Sequence, residues 1–159
     1  SLLNSDPDGW AEMLTLNVHS ALYLMREAAL RMIEDVNKNG RFSRPRDIVV
    51  LGSCVGKNVL ARSSIYSATK FAVHSAAEAL RREICNHGIR VSLIEPGIVE
   101  TEFHDVARYG DNFYQESADS IGPLLKAEDI AELIGFVAAL PAHVHLHEAG
   151  IRPVRQEYP

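Results

Sequence analysis

The feature that most constrains the fold is a continuous apolar run, Ile48-Val49-Val50-Leu51, which ends at Gly52. Such a run is typical of a strand that is covered on both faces, as in a parallel sheet. A second apolar run extends from Ile89 to Ile94 and is closed by Pro96-Gly97. We predict that both runs are buried strands, and that a last strand lies within residues 144–154.

Segments with helical spacing alternate with these strands. The first begins at Asp6-Pro7, a typical N-cap and first helical residue, and we expect it to fade near Asp35. The second covers about Ser63 to Asn86, and the third about Ala127 to Leu140. Residues 102–126 show no clean period, and we expect a long loop there that can contain short helical turns. The alternation predicts an α/β domain with a parallel sheet of three strands and three main helices.

The composition excludes several functional classes. A net charge of −5 argues against nucleic acid or an anionic membrane as a partner, because both select a basic surface. No apolar run approaches the ~20 residues of a membrane span. The first ten residues lack the basic start and apolar stretch of a signal peptide. We therefore expect a cytoplasmic protein without a nucleic-acid or membrane partner.

Three alternating histidines, His143, His145 and His147, would share one face of a strand and so imitate a metal site. The polar face of an edge strand needs no ligand, and we predict that no metal binds there. Cys54 and Cys85 suggest no disulfide framework.

The chemistry centres on Tyr66 and Lys70, which stand four residues apart and so share one helix face, about 6 Å apart along the axis. A phenol with a pKa near 10 is a poor acid–base catalyst at neutral pH unless its ionised form is stabilised. A nearby ammonium favours that phenolate. The pair alone is a weak signal, since the same spacing arises by chance.

Other polar residues strengthen the signal. Ser53 comes at the end of the first strand, thirteen residues before Tyr66. A loop of this length can bring its hydroxyl beside the phenol. Asn17 interrupts an apolar helix, where Asn is disfavoured. Gly97, after the second strand, permits close backbone approach to a ligand, and Thr101 offers a hydroxyl. In parallel sheets ligands bind at the carboxyl ends of the strands, where Ser53 and Gly97 both fall.

These residues resemble the motifs of the short-chain dehydrogenase/reductase family. The resemblance rests on four stretches in order: Asn17-Val18, Gly52-Ser53-Cys54-Val55-Gly56, Tyr66-Ser67-Ala68-Thr69-Lys70 and Pro96-Gly97-Ile98-Val99-Glu100-Thr101. It implies the C-terminal part of a doubly wound, Rossmann-type parallel sheet. The closing segments around Glu128-Asp129 and Ile151-Arg152-Pro153 resemble the branch of serine/3-hydroxy acid dehydrogenases, which act on small polar substrates, often with NADP.

The resemblance also implies residue roles. Tyr66 would act as general acid/base on the substrate hydroxyl or carbonyl, and Lys70 would lower its pKa and bind the nicotinamide ribose. Ser53 would orient the substrate oxygen, and Asn17 would hold a water that relays protons from Lys70. The cofactor, NAD or NADP with NADP favoured, would be positioned by Tyr66, Lys70, Pro96, Gly97, Ile98 and Thr101.

Substrate and partner contacts follow less directly. Candidate substrate contacts from the two flanking loops are Arg62, His104, Arg108 and Tyr114, and a carboxylate would select Arg62 or Arg108. For each arginine, simple solvation is an equal alternative. The family commonly pairs the helices that bear Asn17 and Tyr66, and small residues such as Ala68 and Ala72 allow close approach. We expect a homodimer or homotetramer through these helices.

The chief departure from the family is an absence. The Gly-rich turn that holds the pyrophosphate does not occur in residues 1–159, and the ten glycines form no G-x-G-x-x-G. We expect the whole chain, 1–159, to be the C-terminal catalytic portion of one domain and to be inactive alone. Lys126 stands where relatives have a capping Thr, so we expect the third helix to fray at its start.

Two other functions remain open. A non-catalytic interaction or regulatory protein could keep the fold without a complete cofactor site. An epimerase or dehydratase of the extended branch would share the Tyr-x-x-x-Lys spacing.

Overall fold

A computed structural model describes residues 2–61, 63–103, 107, 110 and 112–159. Five strands occur in this part: β1 Asp47–Leu51, β2 Arg90–Pro96, β3 Val99–Glu100, β4 Leu125–Lys126 and β5 Glu148–Ile151. Three of them form a parallel sheet in the order β1-β2-β5, with Ile48 opposite Val91 and Ile94 opposite Ala149. The α/β fold class with a three-stranded parallel sheet is confirmed.

The first helical segment has three parts. Helix α1 (Pro7–Leu14) is capped by Asp6, whose carboxylate accepts a hydrogen bond from the Asp8 N–H at 3.1 Å. A π-helical turn, Thr15–His19, follows and leads into α2, Ser20–Asn39. The predicted end near Asp35 is wrong. The helix runs to Asn39 because Gly40, at φ 90°, is the first residue that leaves helical geometry.

The other predicted helices are present. Helix α3 (Ser64–Ile84) continues into a 3₁₀ turn, Cys85–His87, and Gly88 ends it in the left-handed region at φ 71°. The prediction of a loop over residues 102–126 is wrong in part. Helix α4 covers Phe113–Ile121, and β4 pairs with β3 through Val99–Leu125 and Glu100–Lys126. These elements are too short for a clear period.

Helix α5 (Ala127–Ala139) does not fray at Lys126 as predicted. The Lys126 backbone N–H donates to Asp129 Oδ2 at 2.7 Å, so the side chain of the third helical residue caps the helix start. The usual capping hydroxyl is therefore dispensable here.

The sheet packs between two apolar clusters. On one face Ile48 and Val50 of β1 contact α2 and α3, and on the other Ile94, which is fully buried, contacts α5. The prediction that β1 is buried on both faces is wrong at Leu51. Leu51 is 51% exposed because the second face ends at a cavity there rather than at a helix.

The alternating histidines are not on a strand, because β5 begins at Glu148. His145 Nε2 lies 3.0 Å from the Val91 carbonyl oxygen, and its ring contacts that of His147 edge to face. No cluster of three or more metal-ligating side chains occurs in the described part of the chain. Nor does any described helix combine the length and apolar character needed to cross a membrane.

Candidate active site

A cavity of about 640 Å³ lies at the carboxyl ends of β1 and β2. It gathers most of the predicted site. Among its lining residues are Ser53, Tyr66, Pro96, Gly97, Ile98 and Thr101. The remaining walls are mainly apolar and come from α3, α5, the loop after β1 and the C-terminal tail. Stretches that are distant in sequence, including Phe113 of α4, therefore meet at one edge of the sheet, as expected for a parallel α/β fold.

Tyr66 and Lys70 lie on consecutive turns of α3. The Lys70 Nζ stands 5.7 Å from the centre of the Tyr66 ring and donates a hydrogen bond to the Leu51 carbonyl at 3.2 Å. Burial lowers the pKa of Lys70. The ring of Phe103 packs against Tyr66 at 5.7 Å between centroids. The phenol thus has a partly buried amine on one side and an aromatic ring on another.

Ser53 begins a short 3₁₀ turn, Cys54–Gly56, immediately after β1. Its hydroxyl accepts from the Val55 N–H at 3.4 Å, and its own N–H donates to His74 Nε2 at 3.2 Å. The side chain faces the same cavity as Tyr66. The loop after β1 is therefore held against α3 through backbone contacts.

Asn17 sits in the π-helical turn between α1 and α2. Such turns are frequent at functional sites because the widened helix displaces a side chain and its backbone partners. Its Nδ2 donates to the Thr69 hydroxyl at 3.2 Å, and that hydroxyl donates to the Tyr66 carbonyl at 2.7 Å. Asn17 is thus linked to the α3 turn that joins Tyr66 to Lys70.

The turn after β2 is held from the C-terminal tail. The Ile98 N–H donates to Gln156 Oε1 at 3.0 Å, and a Cβ added to Gly97 would overlap the same carboxamide. The glycine that the sequence suggested for ligand approach lies against Gln156 here, so a side chain at position 97 would have to displace the carboxamide. Thr101 accepts from the Phe103 N–H at 3.3 Å through its hydroxyl, which faces the cavity.

The predicted substrate contacts are less defined. Arg62, His104 and Arg108 lie outside the described residues. The Tyr114 hydroxyl accepts from the Thr101 N–H at 2.6 Å, and its single proton is shared between the backbone carbonyls of Thr101 and Val99. Phe113, rather than Tyr114, lines the cavity. A substrate role for Tyr114 stays a prediction, and its shown partners fix the Val99–Thr101 segment.

Two residues were missed from the sequence, Gln156 and His74. His74 had a usable signal, because it continues the four-residue spacing from Tyr66 through Lys70 along one helix face. Gln156 had none, since it follows Ile98 by 58 residues and lies in an irregular tail.

The electrostatics behind the serine loop are unusual for a core. His74 is 8% exposed, and its Nδ1 faces the buried carboxylate of Glu95 at 3.2 Å. Lys57 contacts Glu95 at 3.1 Å and also pairs with Glu148. Burial lowers the pKa of His74 to about 4, and the positive charges of Lys57 and Lys70 act in the same direction. His74 is therefore neutral at physiological pH.

The parallel sheet, the Tyr66–Lys70 helix and the serine-bearing loop define a Rossmann-type α/β fold like that of dehydrogenases. The family model described as short chain dehydrogenase matches residues 2–111, and the chain belongs to this family. The resemblance inferred from the motifs is thereby confirmed.

Two curated relatives are about one third identical to this chain over most of its length. The dehydrogenase/reductase SDR family member 11 of Homo sapiens is 33% identical over 162 residues, covering 98% of this chain and 59% of the relative. An uncharacterized oxidoreductase of Staphylococcus aureus (strain MW2) is 31% identical, covering 92% of this chain and 56% of the relative. The chain thus spans less than two thirds of the curated relatives it matches.

Solved structures agree with the fold. A closed form of serine dehydrogenase complexed with NADP+ has a TM-score of 0.85 at 30% identity, covering 99% of this chain and 60% of that one. The serine dehydrogenase from Escherichia coli has a TM-score of 0.76 at 27% identity, covering 99% and 59% respectively.

Proposed function

We propose that this chain carries the acid–base part of an NAD(P)-dependent oxidoreductase that interconverts a small secondary alcohol and its carbonyl compound. The observation that carries the proposal is one cavity that gathers Ser53, Tyr66 and the Pro96–Thr101 segment, with the Lys70 amine 5.7 Å from the Tyr66 ring. In this proposal Tyr66 transfers the proton to or from the substrate oxygen, while the bound nicotinamide supplies or accepts hydride.

The surrounding groups support this proton transfer. A cation held away from water acts on a nearby phenol more strongly than a solvated one, so Lys70 favours the ionised form of Tyr66. Ser53 is proposed to orient the substrate oxygen. Asn17, bonded to Thr69 next to Lys70, is proposed to hold the water that carries protons to solvent.

The residues of this chain fit one end of the cofactor. The cavity is lined by the Pro96–Ile98 turn and by Thr101, whose hydroxyl is proposed to bind the nicotinamide side. Lys70 stands outside the cavity lining, 5.7 Å from the Tyr66 ring, and is proposed to bind the ribose from there. The chain contains no Gly-rich G-x-G-x-x-G turn for the pyrophosphate. We therefore propose that residues 1–159 form the C-terminal catalytic portion of one domain and are inactive alone. NADP is favoured, in line with the NADP+-bound serine dehydrogenase.

A small 3-hydroxy acid is the proposed substrate class. No charged side chain lines the cavity among the described residues, so its apolar walls would contact the carbon skeleton. Recognition of a carboxylate is assigned to Arg62 or Arg108, with His104 and Tyr114 as further contacts. A cytoplasmic location, without nucleic-acid or membrane partners, remains our prediction.

We further propose a homodimer or homotetramer through α2 and α3. Apolar side chains stand exposed on these helices, including Leu24 at 66% and Phe71 at 40%. Ala68, Ala72, Ser75 and Ala79 form an exposed small-residue row on α3. Light scattering after size exclusion should give a multiple of 17.6 kDa, and Ala72→Arg should give the monomer.

The central test joins this chain to a cofactor-binding half. The 159-residue chain should show no NAD(P)-dependent oxidation of serine or 3-hydroxy acids. A chimera with the N-terminal portion of the Escherichia coli serine dehydrogenase, up to the matched region, should show it. Tyr66→Phe in the chimera should lower kcat by a factor of ~10²–10⁴. Tyr23→Phe, on an exposed tyrosine, is the matched control and should leave kcat unchanged.

The outcomes separate the alternatives. Nicotinamide binding without turnover of any alcohol would favour a regulatory protein, and isomerisation of a sugar without net oxidation would favour an epimerase. Hydride transfer by the pure 159-residue chain, with its mass confirmed, would overturn the inactivity of the chain alone.

A further inference from the structure

His74 lies on α3 one turn beyond Lys70 and two turns beyond Tyr66, on the same helix face. It is buried, and its Nε2 accepts a hydrogen bond from the Ser53 backbone N–H at 3.2 Å. The contact joins two residues that are 21 positions apart in sequence. This hydrogen bond ties the Ser53 backbone N–H to α3.

The loop after β1 is shaped around this imidazole. A Cβ added to Gly52 would overlap His74 Nε2, and a Cβ added to Gly56 would overlap Nε2, Nδ1 and Cε1. Both glycines that flank the serine turn are therefore required by the ring. The G-S-C-V-G stretch takes its path because the backbone contacts His74 on both sides of Ser53.

The contacts of the two ring nitrogens of His74 indicate which of them carries the proton. Since Nε2 accepts from Ser53, the single ring proton of the neutral imidazole is on Nδ1, which lies 3.2 Å from Glu95 Oε1. Glu95 is 3% exposed and is neutralised by Lys57, which also pairs with Glu148. The geometry between Nδ1 and Oε1 is not that of a hydrogen bond, but a carboxylate at this distance electrostatically favours the proton on Nδ1, which leaves Nε2 free to accept.

We propose that His74 is a positioning residue, which holds the Ser53 loop so that the serine hydroxyl meets the substrate oxygen. The proposal rests on the proposed function for its catalytic consequence. Its structural part, the bond between the Ser53 N–H and a neutral His74, can be tested without any activity.

Two variants distinguish the effect of the His74 hydrogen-bond acceptor from the effect of its ring. His74→Phe keeps an aromatic ring but removes the acceptor, whereas His74→Gln offers an amide oxygen near the position of Nε2. His143→Phe, on an exposed histidine, is the matched control. Circular dichroism and urea unfolding establish that each variant is folded before it is compared.

The structural test uses NMR of the 159-residue chain. We expect ¹⁵N shifts of His74 that report the Nδ1–H tautomer at pH 7, and a Ser53 amide that exchanges with solvent slowly. His74→Phe should speed this exchange at least tenfold, and His74→Gln should largely restore the protection. An Nε2–H tautomer in the unaltered chain, or equal Ser53 exchange in all variants, would overturn the proposal. The tautomer measurement decides even where the Phe variant does not fold.

The catalytic test uses the chimera described above. His74→Phe should lower kcat at least tenfold with little change in the cofactor KM, and His74→Gln should recover most of it. In a Ser53→Ala background the Phe substitution should cause no further loss, because its effect passes through Ser53. Equal losses in both backgrounds would show a merely structural role. An inactive parent chimera would instead remove the proposed function, and the Ser53 exchange would still decide the hydrogen bond.

Discussion

The carboxamide oxygen of Gln156 accepts a hydrogen bond from the backbone N–H of Ile98 at 3.0 Å. Gln156 is 7% exposed, and its Nε2 donates to Cys54 Sγ at 3.8 Å and to the Pro159 carbonyl at 3.4 Å. One side chain from the tail therefore connects the turn after β2 with the loop that bears Ser53. The turn and the loop both line the cavity, so Gln156 helps to hold two of its walls in place.

Removing the carboxamide should loosen that connection. Gln156→Ala leaves the Ile98 N–H without its partner, and a buried unsatisfied group costs about 1–3 kcal/mol. We expect a loss of this size in the free energy of unfolding, measured by urea titration with fluorescence detection. Gln115→Ala, on the exposed face of α4, should change it by less than ~0.5 kcal/mol. An equal effect of the two substitutions would contradict the role of Gln156.

Gly97 should tolerate no side chain while Gln156 is present. Gly97→Ala places a Cβ on the Gln156 carboxamide, so we expect about 1–3 kcal/mol of destabilisation. The double variant with Gln156→Ala should lose less than the sum of the two single losses. Gly135→Ala is the control: it lies in α5 with open space around it and should raise stability by about 0.5–1 kcal/mol. Strict additivity at Gly97 and Gln156 would argue against the overlap.

Arg90, the first residue of β2, joins the start of β1 to the segment between α5 and β5. Its guanidinium pairs with both Asp47 oxygens, at 2.6 and 2.7 Å, and donates to the carbonyls of Leu140, Pro141 and Val144. Arg90→Lys keeps the charge but loses the planar fork, and we expect a loss of about 2–4 kcal/mol in urea unfolding. Arg82→Lys, at an exposed arginine, should change stability by less than ~0.5 kcal/mol. Tolerance of lysine at 90 would show that the carbonyl contacts contribute little.

The free energy of unfolding should decrease as the pH is lowered, because of His74. The pKa of His74 is about 4 in the folded chain and ordinarily near 6.5, so the unfolded state binds the proton first as pH falls. Native stability should decrease between pH 6.5 and 4 by up to about 3 kcal/mol and show no further contribution from His74 below pH 4. His74→Gln should lack this component. The test is urea unfolding of both proteins across pH 7 to 4, and parallel pH profiles would refute the assignment.

Two carboxylates with lowered pKa values do not affect the comparison between the unaltered chain and His74→Gln. Asp35 and Glu78 have pKa values of about 2, each held down by hydrogen bonds from two arginines. Their contribution is lost mainly below pH 4, and it is shared by both proteins. The difference between the two profiles therefore isolates His74.

Replacing Lys70 should lower kcat without lowering the free energy of unfolding. Burial lowers its pKa, which means that the charged form is disfavoured in its surroundings. Lys70→Met should therefore leave the free energy of unfolding unchanged or slightly higher, while kcat of the chimera should fall at least tenfold. Lys38→Met, at an exposed lysine of α2, is the control for both measurements. Loss of folding in Lys70→Met would show that its bond to the Leu51 carbonyl is structural.

The local patterns of the sequence determined the elements and their order. The apolar runs before Gly52 and before Pro96 produced β1 and β2, since period and length identify buried strands from neighbours alone. The Asp6-Pro7 start gave α1, and the four-residue spacing placed Tyr66 and Lys70 on one face. The family followed from Asn17, Ser53 and the later motifs in order, because a motif combines residue type with spacing and needs no contact.

The tertiary structure decided which groups hold the site in place. The bond from Ser53 to His74 and the bond from Ile98 to Gln156 join residues 21 and 58 positions apart. No periodicity records such a contact, because its partners meet only when separate elements pack. For the same reason no contact could be predicted at Gly52 or Gly56, and Gly97 was interpreted only as a site of ligand approach. Folding places an imidazole against the first two and a carboxamide against the third.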